Sequence, residues 1–268
     1  MPSSTNDRNV VIPFTKASAC GNDFLIIDGP LVSSDLAEFT RRICDRHNGV
    51  GADGVEWLFP CVDAEIEARL INADGSAAEI SGNGTRCVAA YLCAESQKES
   101  VVIRTGAGLK TCTIKAHSGK TFEFESVMGI PQVNGEFAVR ASFGEVKGTR
   151  VSMGNPHFVV LVPEFWSDWQ KRAAELQHDA SFPEGVNIEL ARIQDRRDID
   201  VRFFERGVGE TLSSGTGSCA AAVAVIASGR ADSPLRVHAP GGTQVVRFEK
   251  EVFLQGPAQL IFQGEFFV

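Results

Sequence analysis

The feature that most constrains the fold of this chain is an internal repeat, in which motifs of the first half recur in the second half at one fixed offset. A Gly-Asn pair that precedes an apolar run occurs at Gly21 and again at Gly154. Ser81 and Ser214, each followed by Gly-x-Gly, are separated by the same offset as these two glycines. Such a shared spacing indicates a duplicated structural unit. We therefore expect two similar α/β domains that face each other across one site.

Both repeats contain a polar, glycine-rich turn that runs into an apolar helical pattern. These turns occupy residues 72–87 and 205–217, and the apolar runs that follow begin at Val88 and Ala220. The start of a helix has unpaired backbone N–H groups at the positive end of the helix dipole, and this arrangement binds carboxylates and phosphates. The sequence therefore predicts an anion-binding helix start in each repeat.

Hydrophobic periodicity predicts the elements around these two turns. We expect a frayed tail over Met1–Arg8, a helix capped by Ser33 or Ser34, and a second helix opened by a capping box at Ser167 and Gln170. Residues 127–131 read as the crossover between the repeats, and the final strand is expected to return to the first domain. Predicted strands cover residues 10–15, 24–28, 55–59, 65–72, 101–105, 110–117, 121–126, 137–143, 150–153, 158–161, 186–190 and 199–205, followed by two or three more.

Composition narrows the class of partner. With 268 residues, 43% of them hydrophobic, and a net charge of −8, the chain is typical of a globular protein with one large or two medium domains. Nucleic acids and anionic membranes require a positive field, so a small-molecule substrate fits better. The seven cysteines include no Cys-x-x-Cys pair, and no apolar run approaches a membrane span. We therefore expect reduced thiols, no metal site and a cytoplasmic protein.

At this level of detail the sequence resembles the diaminopimelate epimerase family, along nearly its whole length. The resemblance rests on long motifs in a fixed order: residues 14–16 with 21–24, 44–47 with 49–54, 72–87, 154–157, 182–187 and 205–217. One of them, Gly49 to Gly54, also matches Gly-x-Gly-x-x-Gly. It follows a helical pattern and precedes a strand, whereas a dinucleotide fingerprint has the opposite order, so we do not predict a nucleotide site.

The resemblance implies a fold, an activity and an assembly. The fold is α/β, with two pseudo-symmetric domains, each a mainly antiparallel sheet or barrel wrapped around a central helix. We place the domains at residues 1–128, joined by about 260–268, and at 129–259. The implied activity is interconversion of LL- and meso-diaminopimelate by two-base proton transfer, in lysine and peptidoglycan biosynthesis. No pyridoxal phosphate, other cofactor or metal is implied, and the assembly is a homodimer.

The resemblance also assigns roles to particular residues. Ser81 and Ser214 occupy the positions of the family's two catalytic cysteines, and His157 and Glu205 would tune that pair. Glu205 would also contact substrate, together with a set of polar and backbone groups: Asn22, Asn72, Asn155, Asn187 and Arg206, with Gly82, Asn83, Gly215 and Thr216 around the carboxylate. Asparagines and one arginine suit a zwitterion that carries additional carboxylate and ammonium groups. Taken singly, each asparagine is more often a turn residue, and Glu205 with Arg206 is more often a surface ion pair.

Two departures from the family pattern matter. Gly54 stands where some members have a glutamine, which leaves one substrate contact unassigned. More important, the family's two catalytic thiols are serines here. A thiol at a helix start is partly ionised at neutral pH, whereas using a serine hydroxyl as the base would cost roughly 7 pK units, about 10 kcal/mol. A helix terminus contributes at most about 2 kcal/mol, so it does not compensate.

Several interpretations of the serines stay open at this point. They replace native cysteines, or they define a natural variant with altered chemistry, or they mark a retained fold that binds an amino acid with little or no turnover. A related isomerase or dehydratase acting on another amino or hydroxy acid is the main alternative activity. Serine hydrolysis is disfavoured because no Gly-x-Ser-x-Gly elbow is present. Among the cysteines, Cys87 and Cys219 are expected to be packing residues, and only Cys20 is a candidate substitute.

Overall fold

The computed structural model describes residues 11–32, 35–96 and 98–268. The predicted tail over Met1–Arg8 and the predicted caps at Ser33 and Ser34 lie outside these ranges. In the first half the elements are β1 Val11–Ala19, β2 Asn22–Asp28, α1 Leu36–Cys44, β3 Gly54–Phe59, β4 Ile66–Asn72, β5 Ala77–Ala78, α2 Gly82–Ser96, β6 Ser100–Thr105, β7 Gly108–Ser118 and β8 Thr121–Gly129. A short 3-10 turn at Gly29–Leu31 follows β2.

The second half repeats this order at nearly the offset seen in the sequence. Its elements are β9 Gln132–Ala141, β10 Gly144–Ser152, β11 Pro156–Leu161, α3 Trp169–Gln177, β12 Asn187–Ile193, β13 Asp198–Glu205, β14 Gly209–Thr211, α4 Gly215–Ala227, β15 Leu235–Ala239, β16 Gly242–Phe248 and β17 Val252–Phe267. Helices α2 and α4 begin at Gly82 and Gly215, each directly after one of the two repeated serines. The predicted duplication is therefore present in the fold.

Each half is a mainly antiparallel barrel. In the first half β1 pairs with β2, β2 runs parallel to β3, β3 pairs with β4, β4 runs parallel to β6, and the meander β6–β7–β8 follows. Strand β17 closes this barrel, because it pairs with β8 through one part and with β1 through its final part. The second half repeats the pattern from β10 to β17. Strand β9 pairs with the edge of β10 opposite β11.

A helix fills the interior of each barrel. In α4 every residue from Gly217 to Val225 is buried, and the run of alanines and valines makes the helix apolar on all sides. A helix of this kind is stable only when it is enclosed. Helix α2 is enclosed in the same way by Phe24, Phe124 and their neighbours. Helices α1 and α3 instead pack on the outside of the barrels, where Ile43 and Leu176 are buried against the strands.

One local prediction was wrong, and another was correct only in part. The capping box at Ser167 and Gln170 does not form: Asp168 occupies the N-cap of α3, and its carboxylate makes no cap hydrogen bond because it pairs with Arg172 at 2.8 Å. The predicted crossover at residues 127–131 is shorter than expected: β8 continues through Gly129, and residues 130 and 131 link it to β9. Pairing of Val127 and Gly129 with β17 keeps this segment in the sheet.

Candidate active site

Ser81 and Ser214 each close the first turn of an enclosed helix. The Gly84 N–H donates to Ser81 Oγ at 3.1 Å, and the Gly217 N–H donates to Ser214 Oγ at 3.2 Å. A serine hydroxyl at an N-cap satisfies one of the otherwise unpaired N–H groups of the helix. The remaining N–H groups of Gly82, Asn83, Gly215 and Thr216 lie at the positive end of a helix dipole, which makes both starts suitable for a carboxylate.

The start of α4 lies close to α2, at the contact between the halves. Helices α2 and α4 contact each other, and the turn at Cys20 and Gly21 packs against the loop that leads into α4, where Gly241 N–H donates to Leu212 O at 2.8 Å. The Cys20 thiol lies between the Arg86 guanidinium of α2 and the Ser213 hydroxyl beside Ser214. This arrangement places both predicted serine positions at one interface.

The start of α4 contains a carboxylate in direct contact with its serine. Ser214 Oγ donates to Glu205 Oε2 at 3.1 Å, and Thr211 Oγ1 donates to Glu205 Oε1 at 2.6 Å. Glu205 is the last residue of β13, and the pairing of β13 with β14 places it opposite Gly209. The short hairpin therefore fixes the carboxylate against the hydroxyl of the buried Ser214.

His157 belongs to a hydrogen-bonded chain that runs toward the same helix start. Its Nδ1 lies 2.7 Å from Glu189 Oε1, and its Nε2 lies 2.9 Å from Asn155 Oδ1. Asn155 Nδ2 in turn donates to Thr216 Oγ1 at 3.4 Å. Both ring nitrogens are therefore occupied.

Glu189 was missed by the sequence analysis. It is 1% exposed, and burial raises the pKa of its carboxyl, with the His157 ring opposing that shift. The parallel register of β11 and β12 pairs His157 with Asn187, so Glu189 follows two residues later on the same side of its strand. The available signal was a charged residue within the apolar strand that follows Val186.

Glu56 occupies the equivalent position in the first half, and it was also missed. It is 3% exposed, and a Cβ on Gly84 would meet its Oε1, so the carboxyl lies directly behind the start of α2. Among the described residues no hydrogen-bond partner of this carboxyl is found. Burial raises its pKa to about 8, so it is protonated at neutral pH. The offset of the repeat, counted back from Glu189, would have located it.

Around the start of α2 the polar contacts centre on asparagine amides. Asn83 Nδ2 donates to Asn22 Oδ1 at 2.7 Å, and Asn22 Nδ2 donates to Asp53 Oδ2 at 3.0 Å. The fully buried Arg86 donates to Asn83 Oδ1. Asn72, which corresponds to Glu205 by the repeat, donates to Ser76 Oγ at 3.0 Å. Ser81 therefore has an amide where Ser214 has a carboxylate.

A group of charged residues anchors the glycine-rich segment Gly49 to Gly54. Burial alone would raise the pKa of Asp23, but hydrogen bonds from Arg46 and Lys16 lower it to about 2. Lys16 also donates to the carbonyl of Gly51, and Arg46 pairs with Asp53 at 2.7 Å. Because Asp53 of this segment accepts from Asn22 Nδ2, the segment helps to hold the Asn22 side chain in place. Gly54 is buried, and a Cβ there would lie 2.7 Å from Ile71 O, so the backbone leaves no room for a larger residue.

Asn187 and Arg206 are linked to backbone groups. Asn187 Oδ1 accepts from Arg206 N–H at 2.9 Å, and its Nδ2 donates to Pro156 O at 3.0 Å. Arg206 is exposed and donates through Nη1 to Glu184 O at 2.9 Å. A cavity of about 220 Å³ is lined by His157 and by residues 182–186, and also by Pro156, whose carbonyl accepts from Asn187. The motif at residues 182–187 therefore shapes one wall beside the site.

The cysteines of this chain are poor substitutes for the two catalytic thiols that serines replace at positions 81 and 214. Cys20 is 6% exposed, and burial raises the pKa of its thiol, against a lowering contribution from Arg86. Its backbone is in the left-handed region at φ 47°, unusual for a residue other than glycine. Cys87 and Cys219 are fully buried, and burial raises both thiol pKa values. Packing is therefore the role that the surroundings of these two thiols support.

Two further features of the described residues bear on the class of protein. Within residues 11–32, 35–96 and 98–268, no helix combines the length and apolar character that a membrane crossing requires. In the same part of the chain no cluster of three or more His, Cys, Asp or Glu side chains has the arrangement of a metal site.

Comparison with known proteins places these residues in context. A family model described as diaminopimelate epimerase matches residues 14–133 and 149–261. The diaminopimelate epimerase of Halothermothrix orenii is 34% identical, with 95% of this chain and 97% of the relative covered. The diaminopimelate epimerase of Xanthomonas campestris is 36% identical, with 94% and 95% covered.

Solved structures with low sequence identity share the fold. A phenazine biosynthesis protein of the PhzF family from Bacillus anthracis has a TM-score of 0.72 at 18% identity, with 96% of this chain and 99% of the other covered. A hydroxyproline epimerase from Agrobacterium vitis, with trans-4-hydroxy-L-proline bound, has a TM-score of 0.70 at 15% identity, with 96% and 93% covered.

Proposed function

The chain belongs to the diaminopimelate epimerase family, and on that premise we propose that it binds diaminopimelate between its halves and acts at the α-carbon as an isomerase. The observation that carries this proposal is the pair of enclosed helices that contact each other and that each begin at a serine cap. A two-base epimerisation needs an acid and a base on opposite sides of one carbon. Two duplicated domains in contact supply that geometry.

In this proposal the α-carboxylate is bound by the backbone at the two helix starts. The side chains of Gly82, Asn83, Gly215 and Thr216 are uncharged. Their backbone N–H groups lie where the helix dipoles favour an anion. Asn22 and Asn155 lie beside these starts through their contacts with Asn83 and Thr216. Asn72, Asn187 and the exposed Arg206 would bind the remaining carboxylate and ammonium groups.

Ser81 and Ser214 mark the two faces of the reacting carbon, and Glu205 and His157 serve the second of them. The serine hydroxyls lack the base strength of thiols by roughly 7 pK units. We therefore propose that the site retains the epimerase geometry with weak proton transfer. We further propose that no cofactor or metal takes part in the reaction. The protein acts in the cytoplasm, in lysine and peptidoglycan synthesis. Its first domain comprises residues 1–128 with 260–268, and its second comprises residues 129–259.

Restoring the thiols tests this function directly. Ser81→Cys combined with Ser214→Cys should increase α-proton exchange of diaminopimelate in deuterated water by at least about 10³-fold, because a positioned acid–base pair contributes 10²–10⁴-fold. Each single replacement should leave conversion between the LL and meso isomers far below that of the double, since one face would still lack its partner. An unchanged rate in the double variant, or a normal enzymatic rate in the parent, would refute the assignment. Calorimetry with diaminopimelate measures binding independently of turnover.

The assembly is proposed to be a homodimer. Ile261 and Phe262 on β17 are each about half exposed, and Phe262 contacts the ring of Phe14 edge-on at 5.8 Å. Apolar side chains at that exposure favour a partner surface. Sedimentation at micromolar concentration should give about twice the 28.9 kDa chain mass. A single species of chain mass would contradict the dimer.

A further inference from the structure

We propose that proton transfer in this chain is one-sided: Ser214, backed by Glu205, removes and returns the α-proton on one face, and Ser81 on the other face does neither. This proposal rests on the proposed function, since it takes diaminopimelate as the ligand. It follows from a difference between two positions that the repeat makes equivalent. Position 205 is a glutamate in contact with its serine, and position 72 is an asparagine bonded elsewhere.

The hydrogen bonds of Ser214 leave its oxygen ready to accept a proton. Its hydroxyl hydrogen is directed to Glu205 Oε2, and one lone pair accepts from the Gly217 N–H. A hydroxyl oxygen has two lone pairs, so one remains free. When the Cα–H bond breaks, its proton passes to this lone pair while the hydroxyl proton moves to Glu205. No free alkoxide is formed.

The electron pair of the broken bond stays on the substrate. It is left on the α-carbon and delocalises into the α-carboxylate, which the backbone N–H groups at the two helix starts would stabilise. The reverse step returns a proton from Glu205 through Ser214 to the same face. Glu205 is half-buried, so its proton can exchange with solvent before it returns. The net result is exchange of the α-hydrogen with retention of configuration.

Ser81 lacks the corresponding acceptor. Its oxygen accepts from the Gly84 N–H, but among the described residues no side chain accepts its hydroxyl hydrogen. Taking up a proton there would produce an oxonium, and losing one first would produce an alkoxide. The nearby Glu56 carboxyl lies behind Gly84 and forms no hydrogen bond to Ser81 in the described structure. The first face therefore neither accepts nor supplies a proton efficiently.

His157 does not replace Glu205 in this scheme. Both of its nitrogens are engaged, with Glu189 and Asn155, and the ring is 1% exposed. Its counterpart by the repeat is Phe24, so the histidine adds to the difference between the halves. Its contact with Asn155 orients that amide toward Thr216. We assign it a positioning role on the second face.

The experiment follows deuterium incorporation into LL- and meso-diaminopimelate separately, with enzyme at substrate-level concentration in deuterated water. One isomer should exchange its α-hydrogen at least about 10-fold faster than it converts to the other, and the second isomer should not exchange. Glu205→Gln should lower that exchange by at least about 10²-fold. Asn72→Glu should give exchange of the second isomer, an effect that a purely structural role of position 205 would not produce.

Glu175→Gln is the matched control, because Glu175 also accepts from a serine hydroxyl, that of Ser142 at 2.7 Å, outside the site. It should leave exchange unchanged. Equal exchange of both isomers, conversion that keeps pace with exchange, or an unaffected Glu205→Gln variant would overturn the one-sided scheme. Absence of exchange in a parent that binds diaminopimelate would overturn it too, while recovery in the double cysteine variant would keep the proposed function. If the parent does not bind diaminopimelate, both the one-sided scheme and the proposed function are wrong.

Discussion

The two helix starts share a backbone and differ in chemistry. Both serines cap their helices through a hydrogen bond from the glycine three residues later, at 3.1 and 3.2 Å. Beyond that bond the surroundings diverge: Ser214 contacts a carboxylate, while Ser81 has an amide at the equivalent position. Behind the starts, Glu189 is paired with His157, and Glu56 has no hydrogen-bond partner among the described residues.

This difference shows which properties a duplication preserves. The N–H groups and the helix dipole depend on the course of the chain, so both copies have them. Charge and protonation depend on single side chains and are free to diverge. Each of the following predictions tests one level of that divergence, beginning with the largest expected effect.

The largest expected effect is a dependence of the free energy of unfolding on pH, caused by the buried Glu56. Its pKa rises from an ordinary value of about 4.3 to about 8 on folding, because the carboxyl is buried. Between these values the folded protein holds a proton that the unfolded chain has lost, so stability falls as pH rises through this window. The loss is on the order of 5 kcal/mol across the full window, at 1.36 kcal/mol per pK unit. Glu56→Gln should abolish most of this dependence in urea denaturation at pH 5 and pH 9.

The control for that measurement is the exposed strand residue Glu145, whose replacement by glutamine should leave the pH dependence as in the parent. If Glu56→Gln and the parent lose the same stability between pH 5 and pH 9, the buried carboxyl is not protonated in the way described. The contrast between an unpaired, protonated Glu56 and a Glu189 paired with His157 would then not hold.

A smaller effect distinguishes the glycines behind the two serines. A Cβ on Gly217 would lie 2.8 Å from the buried ring of Phe203 and 2.9 Å from Glu189, which is held by His157. Gly217→Ala should therefore cost about 2–3 kcal/mol, a typical penalty for overpacking. Gly84→Ala meets the carboxyl end of the Glu56 side chain, which is flexible, and Ser81 Cβ at 3.3 Å, but no ring; it should cost less than about 1.5 kcal/mol.

Gly82→Ala serves as the reference for this pair, because the nearest atom to its added Cβ is Arg86 Nη1 at 3.9 Å. It should be neutral or slightly stabilising, since alanine favours a helix over glycine. Free energies of unfolding from denaturant titration give all three values. Equal costs for Gly84→Ala and Gly217→Ala would show that the two starts are packed alike.

The smallest expected difference separates the polar neighbours of the two starts. Asn83 is buried, bonds Asn22 at 2.7 Å and accepts from the buried Arg86. Asn83→Ala therefore removes one acceptor of that guanidinium and leaves it with Pro257 O and Cys20 Sγ. We expect a cost of about 2 kcal/mol. Thr216 accepts a longer bond of 3.4 Å and is only half-buried, so Thr216→Ala should cost less than about 1 kcal/mol. Thermal denaturation that ranks them in reverse order would contradict this account.

Much of the fold was accessible from the sequence because the repeat and the glycine-rich turns are local signals. The shared spacing of Ser81 and Ser214 located both helix starts, and the meander of three short strands was visible as alternation. The capping box at Ser167 failed because an adjacent residue, Asp168, took the cap position and then paired with Arg172. Local patterns do not reveal such competition.

The buried glutamates were not accessible in the same way. Whether a glutamate in an apolar strand faces solvent or a helix start depends on strand register, which is fixed by contacts distant in sequence. The pairing of His157 with Glu189 arises only from the parallel alignment of β11 and β12. The substrate roles of Asn22, Asn72, Asn155, Asn187 and Arg206 remain predictions from the family resemblance.

Strand β17 ties the completion of the first barrel to the far end of the chain. Val11 pairs with Phe267, and Ser18 pairs with Gln259, so β1 has no partner on that side until the second half has been synthesised. During translation the first half therefore exposes an open strand edge, a surface prone to association with other chains. Pairings of such long sequence separation also slow folding. Removing residues 259–267 would leave that edge permanently open, even though the site residues named above would all be retained.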